Sequence, residues 1–133
     1  MYWMRLPVFA LILLPVLLMG CRRSLTYEKT VTVDAGDAYR AQTIDPPARE
    51  QQVTVTISSA TAPVSVYLVL EKDLEAAQDS LRHEKAPANV LAKQEKVQEA
   101  TLEATVPAHS SYTVLLVPVA HRTAQVALKI TGR

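Results

Sequence analysis

The sequence predicts a mainly β domain, a sandwich or barrel of about seven to eight short strands with one inserted helix, behind an apolar N-terminal segment. Apolar and polar residues alternate with a period of two over most of residues 25–133, which is the pattern of strands buried on one face. Stretches rich in Pro, Gly and Asp separate the alternating segments and mark turns. Residues 73–83 instead carry an apolar stripe with helical spacing.

Each predicted strand presents apolar side chains at every second position. In the third strand, for example, Val53, Val55 and Ile57 alternate with hydroxyl-bearing residues. The predicted strands, in chain order, are residues 25–33, a weaker 39–44, 53–58, 64–70, 101–106, 112–117 and 126–130. The predicted turns lie at residues 34–37 and 45–47 and at Pro63 and Pro107.

The helix is predicted over residues 73–83 because Leu74, Ala77 and Leu81 fall on one helical face. Acidic residues stand in its first turn and basic residues in its last, which suits the helix dipole. Pro87 prevents its continuation.

Residues 88–97 are ambiguous between strand and helix. The pattern favours a short strand over residues 90–93 and a turn at 94–96, and a second helix is the alternative.

Two predicted strands are apolar on both faces. Tyr67 and Val69 in one, and Leu115 and Val117 in the other, lie opposite the main apolar set. Strands of this kind are central and covered on both sides. The sequence therefore predicts that the helix covers them, and the alternative is an exposed patch for a partner.

The N-terminal segment has the layout of a secretory signal. Residues 1–5 carry one positive charge, and residues 6–19 are fourteen continuous apolar residues that precede Cys21, the only cysteine. A membrane-spanning helix needs about 20 residues, and Pro15 would interrupt it.

Leu18-Met19-Gly20-Cys21 resembles the lipobox of bacterial lipoproteins, with Met19 at a position where Ala or Ser is commoner. The resemblance implies cleavage between Gly20 and Cys21, a diacylglyceryl thioether on Cys21 and acylation of the new amino group. Two or more acyl chains give stable membrane anchoring. In that family an Asp after the cysteine retains the protein in the inner membrane, so Arg22 implies the outer membrane in a Gram-negative cell.

The chain is thus predicted to comprise a signal peptide (residues 1–20), a lipidated tether (21–24) and a β-sandwich domain (25–133). The mature chain has 13 basic and 13 acidic residues once Arg5 is removed, and this balance argues against nucleic acid as a partner. Its aromatic residues are four tyrosines, which leaves few stacking platforms for sugars or bases. With one cysteine it forms no internal disulfide.

No chemical motif in the sequence points to an enzyme or a cofactor. His83, His109 and His121 lack the spacing of a zinc site. Asp34 and Asp37, with Asp45 nearby, lack the alternating oxygen ligands of a calcium loop, so a turn is predicted there.

Catalysis by a serine is the enzymatic alternative. His109 adjoins Ser110 and Ser111, but the G-x-S-x-G context of a hydrolase is missing. The leading prediction is a non-enzymatic protein, and a small lipid-anchored hydrolase that uses His109 with one of these serines is the alternative.

The segment VPAHSSYTVLLV, residues 106–117, resembles the strand–turn–strand of Golgi-dynamics (GOLD) domains and bacterial pre-peptidase C-terminal domains. Pro107, Ala108 and Tyr112 match their turn, with His109 in place of the usual Gly. The stretch 63–70 resembles their earlier central strand. The resemblance implies a jelly-roll-like antiparallel β-sandwich that binds proteins or assists secretion. We therefore expect an envelope protein partner.

Overall fold

The computed structural model describes residues 25–133, which form two antiparallel four-stranded sheets packed face to face, with one helix outside the second sheet. The predicted antiparallel β-sandwich with one helix is confirmed. The elements are β1 (Leu25–Val33), β2 (Arg40–Ile44), β3 (Gln51–Ser59), β4 (Val64–Leu70), α1 (Glu71–Arg82), β5 (Ala92–Val97), β6 (Glu99–Val106), β7 (Tyr112–Pro118) and β8 (Ala124–Gly132).

The strand order is β1-β8-β3-β6 in one sheet, which we call the open sheet, and β2-β7-β4-β5 in the other, the covered sheet. The chain crosses between the sheets at most connections, as it does in jelly-roll-like sandwiches. Such crossings place non-consecutive strands side by side, so the order could not be read from the alternation alone.

The sandwich has two ends, distinguished by where β1 begins. Leu25 pairs with Gly132, and Gln51 pairs with Val106. The loops 45–50 and 107–111 therefore share this end, which we call the Leu25 end. Val33 pairs with Ala124 at the other end, where the loops 34–39, 60–63 and 119–123 meet.

The main core lies between the sheets. Alternate residues of β3 (Val53, Val55 and Ile57) are almost fully buried, and their cross-strand neighbours Leu128 and Ile130 are buried with them. Burying a side chain of this size stabilises the fold by about 1.5–3 kcal/mol. The apolar positions of the alternating pattern are therefore the residues that form this core.

A second, smaller core lies between the covered sheet and α1. Tyr67, Val69 and Leu115 pack there against Ala77 and Leu81. Leu74 and Val117 border this cluster and are partly buried. The prediction that the helix covers these strands is confirmed. The alternative, an exposed apolar patch, is wrong because α1 packs on these side chains.

The helix begins two residues earlier and ends one residue earlier than predicted. It follows directly on β4, and the backbone N–H of Glu71 donates to the carbonyl of Ser111. Its C-terminus closes with Glu84 in the left-handed region and a bond from the Lys85 N–H to the Ser80 carbonyl. This closure is a Schellman motif. Within residues 25–133, α1 is the one helix, and no helix there is long and apolar enough to cross a bilayer.

The prediction for residues 88–97 was wrong in position. The strand runs over Ala92–Val97 and so includes the stretch 94–96 that was predicted as a turn, and residues 88–97 form no helix. As an edge strand β5 is exposed on both faces along its middle, which erases the alternation. Its register on β4 shifts between Val64 and Val66, where Lys96 has a positive φ of 55° and the pairing bulges.

Candidate functional site

The two outer faces of the sandwich differ in what covers them. The covered sheet buries its outer side chains under α1, whereas within residues 25–133 no helix lies on the outer face of the open sheet. The outer face of the open sheet is therefore the broad surface available to a partner.

Hydroxyl groups dominate this open face. The strand registers place Glu28, Lys129 and Thr56 side by side in one row, which continues to Thr101. Neighbouring rows repeat the arrangement. The hydroxyl-bearing residues of the open face are Thr26, Thr30, Thr32, Thr54, Thr56, Ser58, Thr101, Thr105 and Thr131. Threonine suits this position because it combines high strand propensity with a polar group.

One ion pair crosses the open face. The Lys129 Nζ lies 3.5 Å from a carboxylate oxygen of Glu28 on the neighbouring strand. Both side chains are more than half exposed, so water screens the pair and it contributes little to stability. Glu99 and Glu103 add two further carboxylates on β6.

A shallow groove of about 510 Å³ runs over this face. Ser58 and Ala127 lie opposite each other across β3 and β8 and line it with short side chains, while Glu28 and Lys129 flank it. A second depression of about 490 Å³ adjoins it over Thr56, Ser58 and Thr101. Hydroxyls both donate and accept hydrogen bonds, so the groove suits a polar partner.

The histidines do not converge. His109 lies in the turn before β7 at the Leu25 end, and its backbone N–H donates to the Pro47 carbonyl at 2.8 Å. His121 lies in the turn after β7 at the opposite end. His83 directly follows α1, and its Nδ1 is 2.8 Å from the Asp79 carbonyl oxygen.

His109 and the neighbouring serines do not form a catalytic pair in the structure. The Ser111 hydroxyl donates to Glu71 Oε2 at 2.8 Å, so its proton points to the helix. Within residues 25–133, neither Ser110 nor Ser111 forms a hydrogen bond with the His109 ring. The hydrolase arrangement has no geometric support here.

The acidic turn is a turn, as predicted. The Asp37 N–H donates to the Asp34 carbonyl at 3.0 Å, and the Ala35 N–H donates to the Thr123 hydroxyl. In the part of the chain that the structure describes, no three His, Cys, Asp or Glu residues are placed to hold a metal ion.

Two tyrosines have raised pKa values. Burial, and then the adjacent Glu95 carboxylate, raises the pKa of Tyr67 to about 12; its hydroxyl donates to Glu95 Oε1 at 3.2 Å. Burial alone raises the pKa of Tyr112 to about 12. Neither phenol ionises near neutral pH, so neither offers a general base there.

The predicted lipidation residues lie outside the described residues. They are Leu18, Met19, Gly20 and Cys21. The open face, by contrast, was not predicted as a site. Its signal was the run of threonines between the core positions, but the alternation could not tell which strands share one sheet.

The sequence matches no protein-family profile and no curated protein. Its fold is similar to solved structures. The pre-peptidase C-terminal domain of a Bacillus anthracis collagenase aligns with a TM-score of 0.60 and 12% identity over 80% of this chain and 89% of that one. The predicted resemblance to pre-peptidase C-terminal domains is thus confirmed at the level of fold.

Two further structures share the fold. PliG of Aeromonas hydrophila, a periplasmic inhibitor of g-type lysozyme, aligns with a TM-score of 0.56 and 11% identity over 83% of this chain and 86% of its own. The mitogen YPM of Yersinia pseudotuberculosis aligns with a TM-score of 0.57 and 10% identity over 80% and 85%. At such identities the similarity establishes a β-sandwich fold alone.

Proposed function

We propose that this chain is an exported, lipid-anchored, non-enzymatic protein that binds another envelope component through its open face. The observation that carries the proposal is the position of Cys21. It follows a fourteen-residue apolar segment and a Leu-Met-Gly sequence, and stands four positions before the first strand. A cysteine there is at the site of lipidation and at the boundary of the folded domain at once.

The binding role is supported by what the domain presents. The helix α1 covers the outer face of the covered sheet, whereas the open face presents hydroxyl groups and a groove of about 510 Å³. PliG, which has the same fold, is a periplasmic protein named for inhibition of an enzyme. That example supports an envelope location and a binding mode of action for this chain.

Replacing the cysteine tests the anchor. We expect wild-type protein to enter the detergent phase on Triton X-114 separation, and Cys21→Ser to yield uncleaved or aqueous protein. Acyl attachment requires the thiol, and cleavage follows lipidation in the family that the motif resembles. A Cys21→Ser protein that is still cut after Gly20 and stays in the detergent phase would contradict the proposal.

A matched pair of alanines tests the open face. Ala127 lines the groove, whereas Ala76 is exposed on α1, and both are solvent-accessible. In crosslinking from native membranes, Ala127→Arg should abolish the partner band that the wild type gives, and Ala76→Arg should retain it. Loss with Ala76→Arg alone would place the partner on the helix instead.

A further inference from the structure

The edges of the two sheets differ in how they are protected from further pairing. Within residues 25–133 the edge strands are β1 and β6 in the open sheet and β2 and β5 in the covered sheet. The outer side of an edge strand carries backbone N–H and C=O groups that no neighbouring strand satisfies. Such a side accepts a further strand unless its length, its shape or its side chains prevent this.

Three of these edges carry a protecting feature. The strand β2 has only five residues, and β5 is interrupted by the bulge at Lys96. In β1 the protecting residue is Lys29, which pairs with the buried Leu128 and so lies on the strand face that points to the other sheet, although it is exposed. A strand added beside β1 would bury this charge, which is costly.

The remaining edge, β6, has none of these features. It pairs with β3 over eight consecutive residues, from Glu99 opposite Ser58 to Val106 opposite Gln51, without a shift in register. It contains no lysine, arginine or proline, and no strand of the described chain pairs with its other side. Its outer side is therefore a regular row of backbone groups that is long enough to pair with a further strand.

The seam between the sheets is lined with small apolar side chains beside β6. Ala100 and Ala104 point toward the other sheet, because their partners on β3 are core residues, yet both are only partly buried. Val97 of β5 is partly buried as well. The seam on the opposite side of the sandwich is closed, since the Tyr27 hydroxyl of β1 donates to Gln42 Oε1 of β2 at 3.0 Å. Apolar side chains from a strand added to β6 would cover the open seam.

The outward side chains of β6 select the charge of such a strand. Glu99 and Glu103 are exposed on the open face, and within the described range 25–133 neither forms an ion pair. Antiparallel pairing of two copies through β6 would place these carboxylates opposite or diagonal to one another, and like charges in those positions are destabilising. Opposite charges there are stabilising. The edge therefore favours a basic partner strand over a second copy of this chain.

We propose that the edge of β6 binds an extended segment of another protein in which lysine or arginine alternates with apolar residues. The segment adds a fifth strand to the open sheet through backbone hydrogen bonds. Its apolar side chains cover the seam at Ala100 and Ala104, and its basic side chains face Glu99 and Glu103. This edge is distinct from the groove on the open face, and binding there requires neither that groove nor the lipid anchor.

Short peptides test the proposal directly. The probe is a fluorescein-labelled octapeptide of alternating lysine and valine. It is titrated with the protein purified from its own cells in a nonionic detergent, and binding is followed by fluorescence anisotropy. We expect this peptide to bind and a peptide of alternating glutamate and valine not to bind. A lysine–valine peptide methylated on every backbone nitrogen should also fail, because it cannot donate hydrogen bonds to β6.

Variants of the protein locate the binding surface. Glu103→Lys should weaken binding about fivefold, whereas Glu75→Lys, the same change in charge on the exposed side of α1, should leave it unchanged. Ala104→Lys, which copies the inward lysine of β1, should abolish binding, and Ala127→Arg in the groove should not.

Several results would overturn the proposal. They are no binding of the lysine–valine peptide to the wild type, equal binding of its methylated form, equal weakening by Glu75→Lys and Glu103→Lys, or loss of binding with Ala127→Arg. Light scattering gives a further check. A wild-type dimer that Ala104→Lys dissociates would assign the edge to a second copy and would equally overturn the proposal.

Discussion

Tyr112, the first residue of β7, buries a phenol hydroxyl in the apolar core between the sheets. Its side chain is fully buried, and its oxygen has no hydrogen-bond partner among the described residues. An unsatisfied buried polar group costs about 1–3 kcal/mol. The alternation in the sequence predicts Tyr112 as a core residue, but it does not show whether the hydroxyl finds a partner.

Removing that hydroxyl should stabilise the domain. We expect Tyr112→Phe to raise the free energy of unfolding by about 1 kcal/mol in urea denaturation at neutral pH. Burial favours the neutral phenol, so the pKa of Tyr112 rises from 10.0 in the unfolded chain to about 12. The folded state therefore holds the proton longer, and stability present below pH 10 should fall between pH 10 and 12. Tyr112→Phe should reduce that fall; a loss of more than 1 kcal/mol at neutral pH would instead indicate a bonded hydroxyl.

A strained turn in the loop 119–123 offers a second residue-scale prediction. Ala120 and His121 have positive φ angles of 55° and 53°, which L-residues adopt at a cost of about 1–2 kcal/mol each. His121→Gly should therefore stabilise the domain by roughly 0.5–1 kcal/mol, since glycine removes the strain but adds entropy to the unfolded chain. The control Ala76→Gly, on the exposed side of α1, should lower the free energy of unfolding by about 1 kcal/mol. Destabilisation by both glycines would contradict the assignment of strain to the turn.

At the scale of elements, α1 and the doubly apolar strands β4 and β7 depend on each other. A twelve-residue helix is marginal alone in water, and Tyr67 and Leu115 would expose apolar surface without it. Leu81 is 7% exposed at this contact. The packing of the helix thus supplies stability that helix propensity does not.

Substitutions on opposite faces of α1 test this dependence. Leu81→Ala should cost about 2–5 kcal/mol because it leaves a cavity, and Leu81→Asp should cost more because it buries an unpaired charge. Glu75 is exposed, so Glu75→Ala should stay within about 0.5 kcal/mol of the wild type. Chemical denaturation of the three variants gives the comparison. Equal, small changes in the free energy of unfolding at Leu81 and Glu75 would mean that α1 does not pack stably on the sheet.

The sequence predicts the elements that bury at least one face, and it fails for the strand that is exposed on both faces. The apolar stripe of Leu74, Ala77 and Leu81 locates α1 to within two residues at its start. β5, exposed on both sides, leaves no pattern and is misplaced. The threonines of the open face can be recognised in each strand of the sequence. Which strands lie side by side depends on the order β1-β8-β3-β6, which local periodicity does not encode.

At the scale of the whole molecule, the fold and the proposed anchor come from different parts of the chain. The sandwich occupies residues 25–133, and its fold is shared with proteins that are 10–12% identical. The proposed lipobox lies before it and consists of four residues, Leu18 to Cys21. The domain therefore carries the proposed binding surface, and the proposed location of that surface in the cell depends on Cys21.

The residue after the cysteine gives a prediction for sorting. In the lipoprotein family that the motif resembles, Asp at this position retains the protein in the inner membrane, and this chain has Arg22. In a Gram-negative host we expect the wild type in outer-membrane fractions of a sucrose gradient and Arg22→Asp in the inner membrane. Arg23→Asp, one position later, is the control and should sort as the wild type. Wild-type protein in the inner membrane would refute the assignment.

The most direct test of the account is the mass of the N-terminal peptide of protein purified from its own membranes. The account predicts that residues 1–20 are absent and that the peptide begins at Cys21 with a diacylglyceryl thioether and an acylated amino group. A peptide that retains Met1, or one that begins at Cys21 with a free thiol, would contradict the lipid anchor.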